Sequence, residues 1–329
     1  VSSLESIAKS PLYGLIKPMN QSPHTFDESL RKPNTHFGQR WTQAITWALL
    51  FTATVAAALW VFLYYLWTPD RWPSVEPIPK QAEAIDPVQL ANGVIVHAHA
   101  AVCCVVREPQ NTWSNLMFVF VGALIAGYFR QPLLYGPALA LVGVGLGSFL
   151  YHASASLLLR AVDVGAMLWL YGQMAVLCAI IFFPRLAPWC KRYSALITAS
   201  IFVVCVLVTL NRIMHVLNFR LPGISTMTIG IAILVGTAFN WEALCARDWH
   251  KLAWPAASFA LFALAAAFQI GDRPNGWYCN PHNTIQGHAV WHIFSGIACG
   301  VAVWGLASSA AVSSDFYSYT PLKTIGRTH

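Results

Sequence analysis

The chain has 329 residues, of which 57% are hydrophobic and 10% charged, with a mean hydropathy of +0.53. Soluble domains carry roughly 25% charged residues, so a soluble fold is excluded and an all-α, polytopic membrane protein is expected. The net charge of +7 comes from 20 Lys and Arg scattered over short polar links. They form no basic stripe interleaved with aromatics, which excludes nucleic acid as a partner.

Opening on Val1 rather than Met, the chain is expected to be trimmed or processed at its N-terminus. Residues 1–42 are polar, carry Pro11, Pro18, Pro23 and Pro33, and lack an apolar signal-peptide core. They predict an arm at the membrane face. Runs apolar enough to cross a ~30 Å hydrocarbon layer follow at 43–66, 112–129, 133–152, 158–183, 193–211, 223–244, 251–270 and 286–308, predicting eight helices. The links are short except 67–111, which is polar and Pro-rich at its start; 311–329 reads as a tail. No internal repeat and no soluble domain interrupts the series.

Basic residues concentrate on the cytoplasmic side of membrane proteins. With the N-terminus on that side, it collects thirteen of the 20 Lys and Arg, including Lys9, Lys17, Arg31, Lys32 and Arg40. Both termini are therefore expected on a cytoplasmic- or matrix-type face. A bacterial inner membrane, an endomembrane and an organelle inner membrane all suit this pattern. The topology puts His152 at the outer end of the third predicted helix and Asp163 near the outer start of the fourth. His288 and His292 then fall in the first turns of the eighth, at the same depth.

The strongest local signal is Gln286-Gly-His288-Ala-Val-Trp-His292. Two His at i and i+4 share one helix face, with Cβ atoms ~6 Å apart, and both can reach one ion. A lone membrane histidine commonly bonds a neighbouring helix, and axial haem ligands approach from opposite sides of the ring. A pair on one face suits chelation better. His152 supplies a third imidazole for a zinc site with an open fourth position, where the metal polarises a carbonyl and acidifies water. Ser148, one turn before His152, is a candidate oxyanion donor. Asp163, beyond the small-residue break Ala153-Ser-Ala-Ser156, is a candidate general base or a partner that orients a ligand histidine.

Three stretches resemble the alkaline ceramidases. They are Glu108-Pro-Gln-Asn111-Thr-Trp-Ser114-Asn115, then Gly147-Ser148-x3-His152 with Asp163-x3-Met167, then His288-x2-Trp291-His292. That family belongs to a wider group of seven-helix membrane hydrolases that includes adiponectin receptors and GPI-remodelling hydrolases. The resemblance implies a seven-helix domain over 112–310, with 43–66 as an added N-terminal transmembrane helix. It implies zinc on His152, His288 and His292, with Ser148 and Asp163 as catalytic or supporting groups. The implied reaction is hydrolysis of the amide of ceramide, or of a related lipid arriving sideways from the bilayer.

Eukaryotic members carry an acidic calcium loop, and Glu108 matches its last acidic ligand, which makes calcium a candidate second ion. Upstream, this chain has His97-Ala-His-Ala-Ala-Val-Cys103-Cys104 in place of the acidic segment. Val164 stands where the family has glutamate, and Arg160 where glutamine is common. Tyr278-Cys279-Asn-Pro281 is similar to bacterial-type members. The arm, the added helix and these departures support a second expectation, an accessory subunit of a larger membrane assembly contacted through 1–66. Among the eight cysteines, Cys279 could bridge to Cys103 or Cys104 in an oxidising compartment, while Cys178, Cys205 and Cys299 are expected buried in helices.

Overall fold

A computed structural model of the chain describes residues 35–63, 108–154, 157–214, 224–246, 252–272, 276–278, 285–309 and 312. The polar arm up to residue 34, the segment 64–107 with His97, His99, Cys103 and Cys104, and Cys279 lie outside the described residues. So do the expected disulfide and the tail beyond residue 312. The chain divides into two compact units, Val1–Gln39 and Arg40–His329, and only 35–39 of the first is described.

Every regular element among the described residues is helical: α1 (Thr35–Val61), α2 (Pro109–Ser114), α3 (Leu116–Phe129), α4 (Pro132–Ser154), α5 (Leu157–Phe182), α6 (Ala187–Arg192), α7 (Ser194–Met214), α8 (Ile224–Ala246), α9 (Ala253–Gly271) and α10 (Gly287–Ala307). Among the described residues, six stretches are long and apolar enough to span a membrane, counting α2 and α3 together, or seven if α6 and α7 are one bent span. Eight were expected. The difference is α8, whose described apolar stretch, Thr228–Trp241, is short. A second difference is α6, which lies in an expected link and meets α7 at 86°. Pro184 and Pro188 each sit in the first turn of a short helical piece, where the missing N–H costs nothing.

The chain reverses between α3 and α4 in two residues. Arg130 takes the left-handed conformation at φ 49°, its Nε donates to the Gly127 carbonyl at 3.2 Å, and Pro132 then starts α4. Helix α4 is the hub, packed on α3 and α5 with Leu134, Ala140, Leu141 and Phe149 fully buried. Helix α9 lies along α10, α10 against α3, and α5 against α7 and α8. Lipid tails are as apolar as leucine, so close packing and polar pairing hold such helices together rather than hydrophobic transfer. Leu196, Phe202, Val203, Ile229 and Ile233 point outward, as a lipid-facing surface requires. The protein is an integral, multi-pass membrane protein.

Helix α1 begins at Thr35, ahead of the expected residue 43. Its near end docks through Trp41, stacked on Trp304 with centroids 4.8 Å apart, and through Ala44, which Gly127 meets closely. Past its far end, Leu63 is buried with Phe149, Ala153 and Leu159. Trp113 packs between Trp60 and Phe149.

Candidate metal centre

Helix α4 brings His152 to its last turn, and α10 brings His288 and His292 to its first two turns. The three rings converge, with centroids 5.0 Å (152–288), 4.8 Å (152–292) and 4.6 Å (288–292) apart. One nitrogen from each lies within 4.8 Å of the others, all three side chains are buried, and together they could hold a metal ion. Among the described residues this is the one such group.

Two of the rings are held by acceptors behind them. His152 Nδ1 lies 2.5 Å from Glu108 Oε2. His292 Nδ1 lies 3.0 Å from the Asn111 carbonyl and 2.9 Å from Ser114 Oγ. A carbonyl oxygen can only accept, so Nδ1 of His292 carries the proton and Nε2 keeps its lone pair. The same reasoning applies to His152 against a carboxylate. Both tautomers thus leave Nε2 for an ion, the arrangement metal-binding histidines use. The donor set, three imidazoles converging in a buried site, fits zinc.

The short helix α2 supplies this backing. Asn111 Nδ2 donates to Glu108 Oε2 at 3.1 Å, and Ser114 Oγ donates to the Asn111 carbonyl at 2.9 Å. Glu108, expected as the last ligand of a calcium loop, therefore directs its carboxylate to His152 and Asn111. The segment that would complete such a loop lies outside the described residues. Asn111 and Ser114 were visible in the sequence only as letters of a motif. Their contribution runs through a backbone carbonyl and a lone pair, which residue identity does not announce.

Ser148 and Asp163 stand beside the histidines. Both are buried, and Ser148 and Arg160 lie close enough to act on the Asp163 carboxylate. Asp163 Oδ1 is buried and makes no hydrogen bond among the described residues. Gly147 allows this approach of α5 to α4: a Cβ there would sit 3.2 Å from Asp163 Cα and 3.4 Å from its N. The structure thus brings Ser148, His152, Asp163, His288, His292 and Glu108 into one cluster, from segments nearly 200 residues apart in the chain.

A residue that sequence reasoning missed closes the far side. Asp272, at the end of α9 and 2% exposed, accepts from the His288 backbone N–H at 3.0 Å. Burial pushes its carboxyl up from the ordinary range, while the backbone N–H groups of His288 and Gly287 pull it down. An acid at the end of an apolar helix was the one signal available. Beyond Trp291, a cavity of about 290 Å³ runs between α5, α8, α9 and α10, walled by Met174, Ala232, Val235, Phe262 and Ala302 among others. Tyr171 and Thr228, hydrogen-bonded at 2.6 Å, stand on its wall.

Fold and site together define a multi-pass membrane protein with a buried trihistidine centre backed by carboxylates. Comparison with known proteins narrows the class. The profile of the family described as Ceramidase matches residues 99–317, and the chain belongs to that family. It is 24% identical over 219 residues to alkaline ceramidase 1 of Mus musculus, covering 64% of this chain and 76% of that protein. It is 25% identical over 199 residues to the alkaline ceramidases of Caenorhabditis briggsae and Caenorhabditis elegans, covering 59% of this chain and 71% of each.

Proposed function

We propose that this protein is a zinc-dependent hydrolase of the membrane that cleaves the amide of ceramide, or of a closely related lipid, to a sphingoid base and a fatty acid. The observation that carries the reading is the convergence of His152, His288 and His292 beside Asp163 and Ser148 in a member of the ceramidase family. His152, His288 and His292 would hold the ion, and Glu108 and the Asn111 carbonyl keep two of the rings in the ligating tautomer. Zinc, when bound, supplies Lewis-acid polarisation of the amide carbonyl and lowers the pKa of a water.

The chain's own groups perform the proton work. Asp163, with Oδ1 unengaged, takes a proton from water as its oxygen bonds to the carbonyl carbon. The same carboxyl then returns the proton to the amide nitrogen as the C–N bond breaks, which makes the amine a competent leaving group. Ser148, one helical turn from His152, orients the Asp163 carboxylate by giving it the single proton of its hydroxyl. Burial excludes bulk water from the carboxylate, so each interaction counts for more than it would in solvent.

The cavity past Trp291 would take one hydrocarbon chain of the lipid while the amide lies at the histidines. Both termini would face the cytoplasmic- or matrix-type side, placing the centre near the opposite headgroups. The chain leaves hydrocarbon for a hydrocarbon-like wall, so packing contacts set its fit. Replacing Ala232 by Phe fills part of the cavity. Losing on the order of ten atom contacts at about 0.15 kcal/mol each predicts about a tenfold fall in kcat/KM for long-chain ceramide. A short-chain ceramide keeps its rate; equal losses on both substrates would place the hydrocarbon chain elsewhere.

The direct test is to purify the full chain in detergent and measure sphingoid base released from ceramide before chelation, after it, and after zinc is restored. Loss and recovery of turnover are expected. Zinc-loaded protein that leaves ceramide intact and co-purifies with a large membrane assembly would favour the accessory-subunit reading.

A further inference from the structure

Helix α10 begins without a cap of its own. Gln286, its N-cap residue, makes no capping side-chain bond, and no acidic residue occupies the first turn. The first N–H groups of any helix lack intrahelical partners, and in apolar surroundings each unpaired group is costly. Here two other segments supply the acceptors. The Gln286 N–H donates to Gln110 Oε1 of α2 at 2.8 Å. The His288 N–H donates to Asp272 Oδ2 at the end of α9 at 3.0 Å. Gly287 permits this approach, since a Cβ there would lie 2.9 Å from Asp272 Cβ and 2.9 Å from the Phe268 carbonyl.

The turn so capped is the one that carries His288. Its ring can reach the common point only if the first turn of α10 keeps its rotation and height relative to α4. The packing of α10 on α3 lies further along, at Gly296 and Gly300, so the first turn is held by what α9 and α2 present to it. Asp272 is nearly fully buried, and its negative charge at a helix N-terminus is favourable.

We infer that Asp272 is a positioning residue of the metal centre: as a tertiary cap supplied by α9, it sets the first turn of α10 and thereby the place of His288. This rests on the reading that the three histidines hold an ion, and it makes a claim about backbone order that stands without one. Helix α9 also borders the cavity proposed for the lipid chain, so one helix both walls the cavity and carries the cap.

The test uses the full chain in detergent, with Asp272→Ala removing the acceptor and Asp272→Asn keeping an acceptor of the same shape without the charge. Hydrogen exchange of zinc-free protein is read over 285–293 and over 296–307. Asp272→Ala should speed exchange at least tenfold in the first stretch and leave the second unchanged, with Asp272→Asn close to the wild type. Zinc affinity, measured by competition with a chelator, should fall about tenfold to hundredfold in Asp272→Ala and recover most of the loss in Asp272→Asn. Unchanged exchange over 285–293 in Asp272→Ala overturns the inference whether or not zinc binds. Wild-type protein that binds no zinc would instead count against the proposed function, and the exchange result would still decide the cap. Should Asp272→Ala not fold, Asp272→Ser, whose shorter hydroxyl reaches fewer N–H groups, should show the same selective loosening, and its absence rejects the proposal.

Discussion

Replacing His288 and His292 together by Ala should strip the purified protein of zinc and abolish ceramide hydrolysis while leaving its helical content unchanged. Both side chains are buried within a few ångströms of His152, so their removal deletes two of the three proposed ligands at once. A protein zinc site is worth on the order of 10–16 kcal/mol, and losing about two thirds of even the lower figure weakens binding by on the order of 10⁵-fold. The remaining imidazole, although oriented by Glu108, offers a single donor. Metal content by mass spectrometry and turnover on ceramide check this. Zinc retained at the wild-type ratio by the double variant rejects the ligand set.

Asp163→Asn should separate the ion from the chemistry. The carboxylate is not among the three groups that converge on the ion position, and the amide has the same shape, so zinc should stay at the wild-type ratio. What disappears is the acceptor for the proton of water. General-base catalysis contributes roughly 10²–10⁴-fold, and kcat should drop by about that factor with KM little changed. Arg160 interacts with Asp163 by charge. Substituting Asp163 while watching zinc therefore tests whether this chain still uses the carboxylate. Turnover within tenfold of the wild type would assign Asp163 to packing and leave proton transfer to another group.

Hydropathy and turn chemistry made most of the helix order legible. The expected runs at 133–152, 158–183, 251–270 and 286–308 correspond to α4, α5, α9 and α10 with ends shifted by one or two residues. An apolar stretch of that length has few alternatives, because a backbone in hydrocarbon must satisfy its own hydrogen bonds. The bend at Tyr193 was not legible. It depends on how α6 settles, with Ala187 and Cys190 buried, while residues 184–192, with two prolines and three basic residues, read in sequence as a link.

Residue order alone determined that the chain spans membranes as helices, and that His288 and His292 share one face of a single helix. Local periodicity suffices for both, because the helical repeat places i and i+4 side by side. Only the tertiary structure decided what stands behind the rings. It brought Glu108 to His152, turned the Asn111 carbonyl toward His292, and set Asp272 under the first turn of α10. Those partners act across helices, two through backbone atoms that every residue possesses. Sequence carries no mark of such a contact until packing brings the helices together.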